Sequence, residues 1–200
     1  MIQNDILRQV RETLYCPETG LIYDYVTSRE PAQRFAHLPC RAEVEANLPN
    51  PCGWGTGMED CAINAGTMLD TLWRIDGDPL WAARLVDGME RCITLHGRNG
   101  FVARGFSVRA PEVCYSNSSR DQFTLAVYGL WRVLRFFPSV PDSTREKVAV
   151  LLKAIAEDCR THVTPENHFN LRRLDGREAL VSKMWECDDH EALRLPMIYA

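Results

Sequence analysis

The sequence predicts an all-α fold of helical hairpins, an (α/α) toroid with short β-hairpin excursions, and three observations predict it. Three short polar clusters, each holding an acid, stand directly before helical patterns: Glu59-Asp60, Asp121 and Asp188-Asp189. Asp60 and Asp121 are 61 positions apart, and Asp121 and Asp189 are 68 apart, room for two helices and a connecting loop in each interval. Between the clusters, apolar residues recur at helical spacing and are punctuated by Pro- and Gly-rich turns. Hairpins stacked in this way put their first helices on an inner ring. The N-termini of those helices then open on one face, where the acids converge.

Taken in order, residues 2–15 place Ile2, Ile6, Leu7, Val10 and Leu14 at helical spacing, and Cys16-Pro17-Glu18-Thr19-Gly20 ends that helix. A long irregular stretch to about Gly57 is interrupted by Pro31, Pro39, Pro49 and Pro51, a length that suits a binding surface or a structural wrap. A helix is expected over 58–75, with Cys61, Ala65, Met68, Leu69 and Leu72 on one side. Asp76-Gly77-Asp78-Pro79 turns the chain, and Pro79 suits the first turn of the next helix, which runs to His96. Gly97-Arg98-Asn99-Gly100 stops it, and 101–108 is expected to form a short strand or hairpin arm. Ser119 begins a helix carrying Phe123, Val127, Leu130, Trp131 and Leu134. Past the bend at Pro138 and Pro141, Asp142-Ser143-Thr144 is expected to cap a helix reaching about His162. Thr164-Pro165-Glu166-Asn167 breaks it, and 169–181 is expected to be a hairpin turning at Asp175-Gly176. Residues 190–200 read as a helix that begins without a cap, glycine or polar tail to finish it. A single domain over 1–200 is therefore expected, incomplete at its C-terminus or needing a partner or self-association to cover that edge.

At 46% hydrophobic and 25% charged, the composition is that of a globular protein, and 200 residues suffice for one sizeable core. A net charge of −4 without basic clusters argues against nucleic acid or an anionic membrane surface as partner. No apolar run approaches the roughly 18 residues of a transmembrane helix, and the N-terminus lacks the apolar stretch of a signal peptide, so a cytoplasmic location is expected. Cys61, Cys92 and Cys159 fall in apolar helical patterns, where a free thiol acts as a small hydrophobe. Cys187 with His190, and Cys52 with Cys61, lack any Cys-x-x-Cys pairing, so no metal site is expected. Phosphate loops, dinucleotide fingerprints, nucleophile elbows and zinc-protease motifs are all missing, and no cofactor is expected. Loop acids would suit calcium, but no EF-hand loop is present.

The chemical candidates lie at the helix openings. Glu59 and Asp60 occupy a first turn, where the helix dipole alone favours acids. The preceding Gly53-Trp54-Gly55-Thr56-Gly57 adds a flat indole on a stretch that permits tight turns and close ligand approach. In Ser118-Ser119-Arg120-Asp121-Gln122, Ser119 and Gln122 make a capping box that would hold Asp121 and Arg120 at the mouth, with Arg120 able to clamp a carboxylate. Asp189 is a cap or a ligand group, and His190 a proton carrier or hydrogen-bonded surface residue. Tyr23, Asp24 and Tyr25 and, farther on, Tyr115 stand in loops expected to reach the same face, as a stacking rim or as anchors. Trp73, Trp81 and Trp131 are expected in the core, and His37, His96, His162 and His168 are expected to be structural.

The hairpin repeat and the segments Gly53-Trp54-Gly55-Thr56-Gly57-Met58-Glu59-Asp60 and Ser118-Ser119-Arg120-Asp121-Gln122 resemble the six-hairpin glycosidase superfamily, in particular bacterial members related to unsaturated glucuronyl hydrolases. That resemblance implies an (α/α)6 barrel, of which this chain spans about half, with Asp60 and Asp121 matching aspartates at inner-helix N-termini. The implied activity is that of a carbohydrate-active enzyme, a glycoside hydrolase acting on an oligosaccharide or a uronic-acid-containing glycan. Asp121 is expected as acid or base, with Glu59 or Asp60 as its partner. Trp54 and Tyr115 would stack on sugar, and Arg120, Gln122, Asp189 and His190 would bind or tune. If Arg120 binds a uronate, hydration of an unsaturated sugar or β-elimination becomes the reaction. The alternative from another class is a non-catalytic helical scaffold binding a glycan or protein, its acids serving only as caps. An (α/α) toroid with epimerase or cyclase chemistry ranks last.

Overall fold

In the computed structural model, which describes residues 2–46, 50–75, 77–186 and 190–200, the chain is mainly helical with two small antiparallel hairpins. The first helix, α1 (Ile2–Thr13), ends at the expected turn, flanked there by β1 (Tyr15–Cys16) and β2 (Leu21–Ile22). The stretch read as irregular contains a helix, α2 (Arg41–Ala46). With Val44 as its one buried residue, α2 is too short to show a periodic stripe in the sequence.

Four longer helices follow, close to the expected positions: α3 (Cys61–Arg74), α4 (Pro79–Thr94), α5 (Arg120–Phe136) and α6 (Asp142–His162). Asp78 caps α4 by accepting from the Leu80 and Trp81 amides, with Pro79 at the first position. The expected cap on α6 is displaced. Pro141 is the N-cap residue, no side chain caps, and the Pro141 carbonyl takes the Thr144 and Arg145 amides. Residues 101–108 form no strand. Phe101, Val102 and Ala103 are buried, the Ala103 amide bonds to the Cys92 carbonyl at 2.9 Å, and an isolated bridge joins Ser107 to Ala110. The hairpin of β3 (Asn170–Arg172) and β4 (Glu178–Lys183) turns at Asp175-Gly176 as expected, with Gly176 at φ +81°. A short 3-10 turn over 190–193 leads into α7 (Arg194–Tyr199).

The two helical hairpins, α3–α4 and α5–α6, stack with α3 against α5 and α4 against α6. The α3–α5 crossing is built from glycine. A Cβ on Gly66 would overlap the Leu125 carbonyl, and one on Gly129 would overlap the backbone of Gly66. Both helices start on the same side, because Gln122 in the first turn of α5 reaches Asp60 at the start of α3. Trp81 is buried and Trp73 partly so, but Trp131 is 41% exposed, against expectation. It lines a groove of about 750 Å³ between α5, α6 and α7, and the Arg132 guanidinium lies 5.1 Å from the centre of its ring. Among the described residues, no helix is long and apolar enough to cross a membrane.

Candidate functional site

The site begins in the loop before α3. Gly53, Gly55 and Gly57 all adopt positive φ (+68°, +78° and +87°), a backbone that a side-chain-bearing residue rarely takes. The Asn50 amide clasps Trp54, donating to its carbonyl at 2.9 Å and accepting from its N–H at 3.0 Å. Glu59 accepts the Gly55 amide on Oε1 at 2.9 Å and the Gly57 amide on Oε2 at 2.8 Å. Beneath the loop, the Tyr25 hydroxyl donates to the Gly55 carbonyl at 2.6 Å. The Trp54 side chain stands out from this frame, 55% exposed.

Asp60 occupies the N-cap position of α3, yet its side chain makes no capping bond. Instead, Asp60 Oδ1 accepts from Gln122 Nε2 at 2.8 Å and lies 3.4 Å from Arg104 Nη1. The same two donors reach the Glu59 carbonyl, each at 3.0 Å. On the other side, the Asp60 amide donates to Asp24 Oδ2 at 3.2 Å, and Asn64 Nδ2 donates to Asp24 Oδ1 at 2.8 Å. Burial is the main cause that pushes the Asp24 carboxyl up to about 6. The neighbouring Glu59 and Asp60 add to that rise, while the bonds from Asn64 and the Asp60 amide oppose it. The result is a pair of carboxyls, Asp24 and Asp60, joined through one backbone amide at the end of a helix. Gln122 and Arg104 are themselves almost fully buried, so the Asp60 side of the pair is held by ordered donors.

Asp24 gives a first prediction. Its folded-state pKa exceeds the ordinary 3.8, so the folded protein holds the proton more tightly than the unfolded chain does. The stabilising contribution is complete below the unfolded value and is lost as pH rises through about 6. Asp24→Asn removes this titration. The difference in Tm between Asp24→Asn and the parent should therefore move in the variant's favour between pH 4 and pH 7, whatever constant offset the lost hydrogen bonds impose. A difference that stays flat over that range would contradict a raised Asp24 pKa.

Of the residues singled out in the sequence, Trp54, Glu59, Asp60 and Gln122 come together here. Gln122 forms only half of the expected capping box: its amide accepts no role at Ser119 but turns to Asp60, while its backbone N–H bonds to Ser119 Oγ. Asp121, one residue earlier on α5, is engaged elsewhere. Its Oδ1 accepts from Arg194 Nη1 at 3.0 Å, and the same nitrogen donates to Thr124 Oγ1 at 2.8 Å. Arg120, the first residue of α5, is half-buried. Tyr115 is not a rim residue: it is 4% exposed and lies against Gly53, where a Cβ would overlap its ring. Tyr23 is likewise buried, its hydroxyl donating to the Phe106 carbonyl. Asp189 and the His190 side chain, as well as Asp188 and Cys187, lie outside the described residues.

Asp24 was expected on this face, in a loop of rim or anchor residues, but without a role as an acid, and two further contributors, Asn64 and Arg104, were missed because nothing local marks them. Among the described residues, no three or more His, Cys, Asp or Glu side chains gather to hold a metal. Asp24 and Asp60 are instead interleaved with the N–H donors of Asn64, Gln122 and Arg104. Compared with known proteins, the chain matches no family model, no curated protein and no solved structure.

Proposed function

We propose that the protein is a carbohydrate-active enzyme, a glycoside hydrolase acting on an oligosaccharide or uronic-acid-containing glycan, and that its stacked hairpins are part of an (α/α) toroid. The observation that carries this proposal is the Asp24–Asp60 pair, joined through the Asp60 amide, with burial raising the Asp24 carboxyl to about 6 and an exposed Trp54 on the loop that leads into the same helix. Glycosidic cleavage uses one protonated acid and one ionised carboxylate. In this assignment Asp24 is the acid and Asp60 the base or nucleophile, oriented by Gln122 and Arg104, while Trp54 stacks on the sugar. The Arg194 contact makes Asp121 the less available carboxylate. Free thiols at the described cysteines suit a reducing, cytoplasmic setting.

The test is a screen of the full chain against neutral and uronic-acid oligosaccharides, beside Asp24→Asn, Asp60→Asn and Asp121→Asn. Loss of a positioned acid or base is expected to lower kcat about 10²–10⁴-fold in the first two variants. The parent's activity should fall as pH rises above about 6, and Asp24→Asn should abolish that limb. Loss confined to Asp121→Asn would return the chemistry to that residue and overturn the assignment to Asp24 and Asp60.

A second proposal, a non-catalytic scaffold binding a glycan or protein, is favoured by one observation. The Glu59 and Asp121 carboxylates are both bonded to internal partners. Saccharide binding without product release by the folded parent would support it.

A further inference from the structure

We infer that Glu59 is a positioning residue, the clamp that fixes the 53–57 loop so that the Trp54 indole forms a rigid, specificity-determining platform. The inference rests on the proposal of a saccharide site, but its structural half stands on the loop itself.

Glu59 is expected from the sequence as one of two alternative partner carboxylates to Asp121, the other being Asp60. The geometry of Glu59 assigns it another task. Each carboxylate oxygen faces a different backbone amide of the loop, Gly55 at 2.9 Å and Gly57 at 2.8 Å. Charge-assisted bonds of this kind are stronger than neutral ones, and two on one carboxylate fix its orientation. The 53–57 loop has no helix or strand to hold it, and its three glycines give the unfolded chain great freedom.

The other contacts converge on the same segment. Asn50 binds both backbone polar groups of Trp54, Tyr25 supports the Gly55 carbonyl, and Thr56 Oγ1 donates to the Gly53 carbonyl at 2.6 Å. Tyr25 in turn stacks on His37, with ring centroids 5.0 Å apart, and a Cβ on Gly57 would press on His37 Nε2 at 2.9 Å. The loop is thus braced from below and from both sides, while the indole carried at its apex remains open. A pre-ordered aromatic surface meets a flat ligand without the ordering cost that a mobile one incurs. The ligand class is the apolar face of a pyranose ring, stacked on the exposed Trp54 indole. Discrimination among sugars would then depend on which ring presents a flat apolar face to that fixed indole.

The experiment is amide hydrogen exchange resolved at Gly55 and Gly57, by NMR on the full chain, in the parent, Glu59→Gln and Glu59→Ala. Glu59→Ala should speed exchange at both amides at least tenfold, and Glu59→Gln, with one acceptor left, chiefly at one of them; amides within α5 should not change. Unchanged exchange at Gly55 and Gly57 overturns the clamp. The kinetic arm uses cellohexaose and a galacturonate hexamer. With whichever is turned over, KM should rise about fivefold or more in Glu59→Ala, by more than kcat falls, and Trp54→Ala should share that pattern. A hundredfold fall in kcat at constant KM would make Glu59 a reacting carboxylate and overturn the inference. If the parent binds and cleaves neither saccharide, the platform's ligand class is overturned, and the exchange result still decides the clamp on its own.

Discussion

Gly66→Ala and Gly129→Ala should each lower the thermal midpoint by roughly 6–12 °C, the expected effect of overpacking by about 3 kcal/mol in a chain of this size. Away from the crossing, Gly→Ala within a helix is stabilising by roughly 0.5–1 kcal/mol, because alanine loses less backbone entropy. The crossing reverses the sign. At Gly66 the new methyl would overlap the Leu125 carbonyl, and at Gly129 it would lie 2.5 Å from the Gly66 Cα. Neither obstacle is a side chain able to rotate away, so α3 and α5 must separate. Separation also pulls Asp60 from Gln122, linking this packing contact to the candidate site. Thermal unfolding of both variants decides the matter. An unchanged or raised midpoint would mean that the helices do not approach at these glycines.

The second large effect is expected at Arg98 and Asp158. The guanidinium donates from Nε to Asp158 Oδ1 at 2.6 Å and from Nη2 to Oδ2 at 2.8 Å. Its Nη1 reaches the Arg172 carbonyl at 2.9 Å, and its carbon lies 5.0 Å from the centre of the Phe101 ring. One side chain thus joins the end of the α3–α4 hairpin to α6 and to β3. The Asp158 side chain is 1% exposed, so Arg98→Ala strands a buried carboxylate, at a cost of about 3–5 kcal/mol. Asp158→Ala should be comparably damaging. Much of each loss is the stranded partner, so the double variant should be well short of the sum of the two. Urea unfolding of the three proteins measures the coupling. Simple additivity would show that the pair carries no mutual interaction.

Much of the helical architecture was legible in the sequence because its signals are local. Leu69 and Leu72 on α3, or Leu85 and Met89 on α4, recur within a turn or two, and Asp78-Pro79 and Ser119 mark helix starts through contacts three residues away or fewer. The turn at Asp175-Gly176 is local in the same sense. The helix α2 was missed because a single buried residue makes no period. Trp131 was misplaced because spacing identifies a helical face without saying whether another element covers it.

The candidate site was legible only in part. Asp60, Glu59, Trp54 and Gln122 stood out by residue type and position, but their tasks depend on partners far along the chain. Asp60, expected in a first turn as a partner acid to Asp121, meets Gln122, 62 residues away, and Arg104, 44 away. The Glu59 carboxylate binds the amides of its own loop, whereas Asp121 faces Arg194 on α7. Tyr115 looked like a rim and lies beneath Gly53. By itself the sequence determined roughly where the longer helices begin and end and which residue types gather near their openings, since propensity, capping and turn chemistry act over a few residues. Only the tertiary structure decided which residues meet: the close approach of α3 and α5 at Gly66 and Gly129 joins segments some sixty residues apart and brings Gln122 to Asp60, while the loop after β2 brings Asp24 to the Asp60 amide.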